Sequence, residues 1–203
     1  SDTVQTMAHY RFDLQDLYIQ FLTAAAHKFH GPKGNGFLYV CEDISIKPLI
    51  CGGSQERNLR AGTENVYGIA GLSKALEVSY RNLDEHRKHI ESIKDYTIES
   101  LKKAIPGVEF NGASADLNNS LYTVLNVMFP KTDIAEMLFY NLDILGIASS
   151  GGSACSSGSN IGSHVLRAVS SDLERPSIRF SFSKFNTKEE IDYLIDQLKN
   201  LFS

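Results

Sequence analysis

The sequence predicts a mixed α/β chain, and three observations carry the prediction. Two short apolar stretches, residues 19–25 and Gly36–Val40, flank a glycine-rich turn. From Asn65 to Pro106 the apolar residues recur three and four apart, the period of an amphipathic helix. After Gly107, strand-like and helix-like stretches alternate to the last residue. The change of pattern divides the chain into residues 1–86 and a small α+β domain at residues 87–203.

Each element has a local reason. Ser1-Asp2-Thr3-Val4-Gln5 reads as the end of a strand, and residues 12–17 as a connection into the strand 19–25. Gly36–Val40, aromatic and aliphatic and opened by glycine, is the second strand. Residues 51–65 form a loop. The first helix puts Val66, Ile69, Ala70, Ser73, Leu76 and Glu77 on one face, and the second Ile90, Ile93, Thr97, Leu101 and Ala104, stopped by Pro106-Gly107. The charged run 84–89 between them reads as a solvated face with no ligand role for its histidines. Residues 121–129 are the clearest strand, ended by Pro130. Then come a helix at 133–142, a strand at 145–148, a helix at His164–Val169 and a strand at 178–182. The final helix opens with the capping box Thr187-Lys188-Glu189-Glu190.

Composition bounds the function classes. A formal charge of −4 with 22% charged residues gives no electrostatic reason to expect nucleic acid, whose binding rests on clustered cations. No apolar run approaches the ~20 residues of a membrane span, and the N-terminus lacks a charged-then-apolar signal pattern. The expectation is a cytoplasmic protein. Cys41, Cys51 and Cys155 offer no Cys-x-x-Cys pair for zinc, and their odd number suits a reducing compartment. Gly31-Pro32-Lys33-Gly34-Asn35-Gly36 is not a nucleotide-binding Walker loop, because the Gly-Lys-Ser/Thr ending is absent.

Four places carry candidate chemistry. Lys28 stands where an apolar strand meets the glycine-rich turn, beside His27 and Lys33. Partial desolvation and neighbouring cations both favour the free amine that forms a Schiff base; the alternative is a solvated turn lysine. In the loop 51–65, Arg57, Arg60 and Thr63 beside glycines make a reasonable phosphate cradle, although arginines are common on surface loops. Cys155 is the one sulfur in a run of serine, glycine and alanine starting at Ser149, where little side chain is available to bury it. A thiol on such a tether fits a nucleophile that travels. Arg179 lies between Ile178 and Phe180 in a strand, placed either for a salt bridge or for a bidentate clamp on a carboxylate.

Residues 26–36, Ala-His-Lys-Phe-His-Gly-Pro-Lys-Gly-Asn-Gly, resemble the cofactor-lysine segment of class V pyridoxal-phosphate enzymes, and within them the cysteine desulfurases of the NifS/IscS type. Ser1-Asp2-Thr3-Val4-Gln5, Arg60-Ala61-Gly62-Thr63-Glu64-Asn65 and Ser149-Ser150-Gly151-Gly152-Ser153-Ala154-Cys155 match further motifs of that family in the same order. The resemblance implies the C-terminal part of a fold-type I transferase. Residues 1–86 would be the C-terminal part of the cofactor-binding large domain, itself truncated, and 87–203 would be the small domain carrying the cysteine loop.

It also implies roles. Lys28 would hold pyridoxal 5'-phosphate. Asp2 would pair with the pyridine nitrogen, Gln5 with the phenolic oxygen, and His27 with the phosphate. Thr63 would reach the phosphate of a neighbouring subunit, making a homodimer with shared active sites. Arg179 would bind the α-carboxylate of L-cysteine. Cys155 would take the substrate sulfur as a persulfide, release L-alanine, and pass the sulfur to an acceptor such as an iron–sulfur scaffold protein.

Two departures qualify the match. Ala25 replaces a family serine whose hydroxyl reaches the cofactor phosphate, a loss of about 1–3 kcal/mol. The family's first half, with its ring-stacking histidine, has no counterpart. The expectation is therefore a fragment that works with a missing N-terminal half. A selenocysteine lyase, an aminotransferase, or a non-catalytic dimerisation or scaffold-binding remnant are the alternatives.

Overall fold

A computed structural model describes residues 1–151, 163–169, 172 and 174–202. The chain forms two compact units, Ser1–Asp84 and Glu85–Ser203.

In the first unit, β1 (Phe21–Ala25) and β2 (Gly36–Val40) form an antiparallel hairpin in the register Phe21↔Val40 to Ala25↔Gly36. The N-terminal segment runs parallel to β1: Asp2 bridges Thr23, Thr3 N donates to Thr23 O at 3.0 Å, and Thr23 N donates to Ser1 O at 3.1 Å. β1 alternates as a half-buried strand should, Leu22 and Ala24 inward and Phe21 and Thr23 outward. It starts at Phe21 rather than at residue 19, because the chain turns just before it and Ile19 N bonds to Leu17 O at 2.7 Å. The core is Met7, Ala8, Leu22, Ala24, Ala26 and Phe29, covered by Leu72, Ala75, Leu76 and Tyr80 of α1 (Val66–Arg81).

The face of α1 differs from the expected one. Of the predicted stripe only Leu76 packs on this core, and Val66 is 65% exposed. The sequence hides the reason. Two glycines, Gly68 and Gly71, turn toward the hairpin loop. A Cβ at Gly68 would overlap the Asn35 side chain, and one at Gly71 would lie 3.1 Å from Pro32 Cγ. Glycines add nothing to an apolar count, yet their bare backbone lets the helix approach and so fixes its rotation.

The second unit holds a three-stranded antiparallel sheet, β3 (Glu109–Phe110), β4 (Val124–Met128) and β5 (Ser177–Ser181), in that order. Its buried side chains include Leu125, Val127, Ile178 and Phe180 from the sheet, Ile90, Ile93, Ile98 and Leu101 from α2 (Leu83–Ala104), and Ile191, Leu194, Ile195 and Leu198 from α5 (Lys188–Phe202). The charged run 84–89 lies inside the first turns of α2 rather than between helices. Among the described residues no cluster of His, Cys, Asp or Glu could hold a metal, and no helix is long and apolar enough to cross a membrane. The capping box forms as expected: Glu190 N donates to Thr187 Oγ1 at 3.3 Å and Thr187 N to Glu190 Oε2 at 3.1 Å.

Residues 145–148 are not a strand. Helix α3 (Leu138–Ile144) ends there with Gly146 at φ 75°, Gly146 N bonded to Asp143 O and Ile147 N to Leu142 O, both at 2.9 Å. This Schellman closure uses the amide donors that a strand would need. The helix begins at Leu138 rather than at residue 133, because residues 132–137 form separate turns. Helix α4 (His164–Val169) stands where it was expected.

Candidate active site

β1 ends in a 3₁₀ turn, Ala26–Phe29. With three residues per turn, Ala26 and Phe29 fall on one side and are buried, while His27 is exposed and Lys28 half-buried. The turn closes through His30 in the left-handed region, φ 66°, and through Gly31 N, which donates to Ala26 O at 2.8 Å. A Cβ on Gly31 would sit 2.8 Å from Ala26 Cβ, so the loop needs glycine to fold back so tightly. Ala26 N bonds to Asn35 O at 2.9 Å and seals the loop at its base. The lysine is thus carried by a turn anchored at both ends. Among the described residues its side chain has no hydrogen-bond or ion-pair partner.

Asp2 and Lys28 both stand at the C-terminal ends of parallel segments, the edge at which α/β sheets gather ligands. Asp2 is exposed, with Oδ1 accepting from Val4 N at 2.8 Å. Gln5 is exposed in the turn that follows. Thr63 is exposed at the end of a loop tied within itself. Gln55 Oε1 accepts from Gly62 N at 3.1 Å, and Arg60 Nη1 donates to Ala61 O at 3.0 Å. Arg57 is in the left-handed region at φ 55°.

The sequence did not announce what joins these motifs. Asn65 caps α1 by accepting from Gly68 N at 3.1 Å, while its Nδ2 donates to Asn35 Oδ1 at 3.1 Å. The Arg60–Asn65 motif is therefore hydrogen-bonded to the lysine hairpin. The nearest signal was the Ser/Thr/Asn/Asp preference at helix N-caps.

In the second unit Arg179 lies on β5 opposite Asn126 of β4. Its own N–H and C=O both bond to Ser150, Arg179 N to Ser150 O at 2.7 Å and Ser150 N to Arg179 O at 3.1 Å. The first residues of the serine-glycine loop are thereby fixed to the strand carrying the arginine. Among the described residues Arg179 Nε is buried without a hydrogen-bond partner, and so is Ser149 Oγ. Cys155 lies outside the described residues.

Residues 1–194 match the family described as aminotransferase class-V. The chain belongs to that family. A relative from Dictyoglomus turgidum named cysteine desulfurase IscS is 40% identical over 203 residues, spanning 99% of this chain and 50% of the relative. One of the same name from Methanosarcina thermophila is 39% identical over 198 residues, 97% of this chain and 48% of the relative. Among solved structures, a NifS-like protein superimposes with TM-score 0.84 at 35% identity, covering 98% of this chain and 51% of that one. The NifS-like protein from Rickettsia africae gives 0.83 at 30%, covering 99% and 52%. The chain thus spans about half the length of the curated relatives it matches, and its mixed α/β fold is part of the fold-type I architecture.

Class-V aminotransferases and cysteine desulfurases are pyridoxal-phosphate enzymes. The donor set of this class-V chain fits that group: among the described residues, an amine without a partner on a hydrogen-bonded turn, a carboxylate with one oxygen free on the neighbouring segment, and an exposed amide and imidazole close in sequence. Ala25, half-buried at the end of β1, offers no hydroxyl to a phosphate.

Proposed function

We propose that this chain carries the lysine and cysteine of a cysteine desulfurase that converts L-cysteine to L-alanine. The observation behind it is the placement of Lys28, an amine without a partner among the described residues, in the turn that follows β1, one strand from the Asp2 carboxylate. When bound, pyridoxal phosphate supplies an electron sink for the pair left at the substrate α-carbon. In this reading Lys28 anchors the cofactor and then carries the α-proton. Asp2 keeps the proton on the ring nitrogen, Gln5 donates to the phenolic oxygen, and His27 and a partner subunit's copy of the Thr63 loop hold the phosphate. Arg179 orients the substrate by its α-carboxylate.

Sulfur leaves through Cys155. Its thiolate attacks the substrate sulfur, an S–S bond forms as the Cβ–S bond breaks, and the electron pair released to carbon is protonated to give alanine. The persulfide then serves an acceptor protein such as an iron–sulfur scaffold. The protein is cytoplasmic and works as a homodimer together with a segment equivalent to the other half of its relatives.

The test is absorbance of the cofactor-bound protein, then sulfide and alanine assays. Lys28→Ala abolishes both the cofactor band and turnover. Cys155→Ala keeps the band and stops alanine formation. Alanine production that survives Cys155→Ala would overturn the persulfide route, and a band that survives Lys28→Ala would overturn the lysine's role.

A further inference from the structure

We propose that Asn126 is a second donor, beside Arg179, to the α-carboxylate of the amino-acid substrate. The inference rests on the reading of Arg179 given above and adds a residue to it.

The strand geometry brings the two side chains together. Because both backbone groups of Arg179 point to Ser150, its pairing with Asn126 is of the non-hydrogen-bonded kind. In that kind the Cα atoms lie about 4.5 Å apart and the side chains are closest. They share one face of the sheet, since Leu125, Val127, Ile178 and Phe180 alternate to the buried side.

The hydrogen bonds then fix what this face offers. Asn111 Nδ2 donates to Asn126 Oδ1 at 2.8 Å and to Ser177 Oγ at 2.9 Å. The side-chain acceptor of Asn126 is thereby engaged, and its Nδ2, with two N–H donors, has no partner among the described residues. Next to it the buried Arg179 Nε also lacks an acceptor among the described residues. Donors without acceptors, one of them buried and cationic, form a place for an anion, because a buried donor left unpaired is costly. A carboxylate meets this set with two oxygens: it takes the guanidinium fork and has lone pairs left for the amide. Asn111 acts through Asn126 and is a positioning residue.

The experiment uses the cofactor-loaded enzyme containing this chain and compares equilibrium binding of L-alanine with that of ethylamine, the same skeleton without the carboxylate. Binding is read as the shift in cofactor absorbance. Asn126→Leu weakens L-alanine binding roughly 10- to 100-fold, the range for a hydrogen bond to a charged group, and leaves ethylamine unchanged. Asn126→Asp keeps the acceptor for Asn111, which preserves the fold should the leucine variant not fold. It places a carboxylate where the substrate's should bind, and it also weakens L-alanine selectively. Equal losses for both amines, or none for L-alanine, would overturn the proposal. Arg179→Ala separates the two readings. If it leaves the preference for L-alanine intact, the arginine reading itself is wrong; if it removes the preference while the Asn126 variants keep it, only Asn126 is wrongly placed.

Discussion

Asn65 Nδ2 donates to Asn35 Oδ1 across 3.1 Å, and this bond ties the loop bearing Thr63 to the turn bearing Lys28. Each asparagine has a second duty: Asn65 caps α1 through Gly68 N, and Asn35 Nδ2 bonds to Lys33 O at 3.0 Å. Asn65→Ala removes a cap and a tie together and costs about 2 kcal/mol, from about 1 kcal/mol each. Asn35→Ala removes the tie and the bond to Lys33 O and costs about 2 kcal/mol, from about 1 kcal/mol each. Urea unfolding of the two variants and their double checks it. The double variant should cost about 1 kcal/mol less than the sum, since the shared bond is lost only once. Strict additivity would show that the tie contributes nothing.

A half-buried arginine holds one end of the second unit's sheet. Arg175, with 11% of its side chain exposed, donates through Nε to Phe129 O at 2.9 Å and through Nη2 to Gly107 O at 2.6 Å and Met128 O at 3.3 Å, and it pairs with Glu109. Removing it leaves carbonyls without donors, so Arg175→Ala destabilises by about 3 kcal/mol or more. Glu109, 60% exposed, is the lesser partner, and Glu109→Gln costs under about 1 kcal/mol. A comparable loss from both substitutions in urea titrations would mean that the ion pair, and not the carbonyl contacts, holds the sheet.

Much of this architecture was legible in the sequence wherever a local rule decides. Gly36–Val40 and His164–Val169 fall at their expected bounds, and the Thr187–Glu190 box forms both of its bonds. The misses arise from partners and neighbours that no periodicity reports. Residues 145–148 have strand-like side chains, but their amides close α3. The face of α1 was misread because glycines set its rotation. Asn126 was one polar residue in an apolar strand, and its meaning comes from Arg179, 53 positions later, with Asn111 fixing its amide.

Lys94 gives the chain a pH dependence. Its side chain is fully buried on α2, donating to Ser120 Oγ at 2.7 Å and to Leu121 O at 3.1 Å. Burial pulls its pKa down to about 8, against the opposing pull of Glu91 and Asp116. The unfolded lysine titrates near its ordinary value of about 10.4. Between these values the unfolded chain binds more protons than the folded one, so this group makes stability rise with pH from about 8 to about 10.4. Below that window the buried ammonium is a standing cost. Lys94→Met removes the rise, which urea midpoints measured from pH 7 to 10.5 will show as a flatter profile; an unchanged slope would locate the effect elsewhere.

Gly68 separates tertiary packing from intrinsic propensity. In an open helix, glycine to alanine stabilises by about 0.5–1 kcal/mol, because the backbone loses less freedom on folding. Gly68, however, is buried in α1 against Asn35, and a Cβ there would overlap the amide that bonds Asn65. Displacing that amide sacrifices the tie between the two motifs, so Gly68→Ala destabilises by about 1 kcal/mol in place of the usual gain. The sign depends on its neighbour. In an Asn35→Ala background the obstructing side chain is gone and the tie already lost, and Gly68→Ala then becomes neutral or stabilising. Four urea curves, for the parent, both single variants and the double, decide it. A stabilising Gly68→Ala in the parent would show that α1 does not need its bare backbone there.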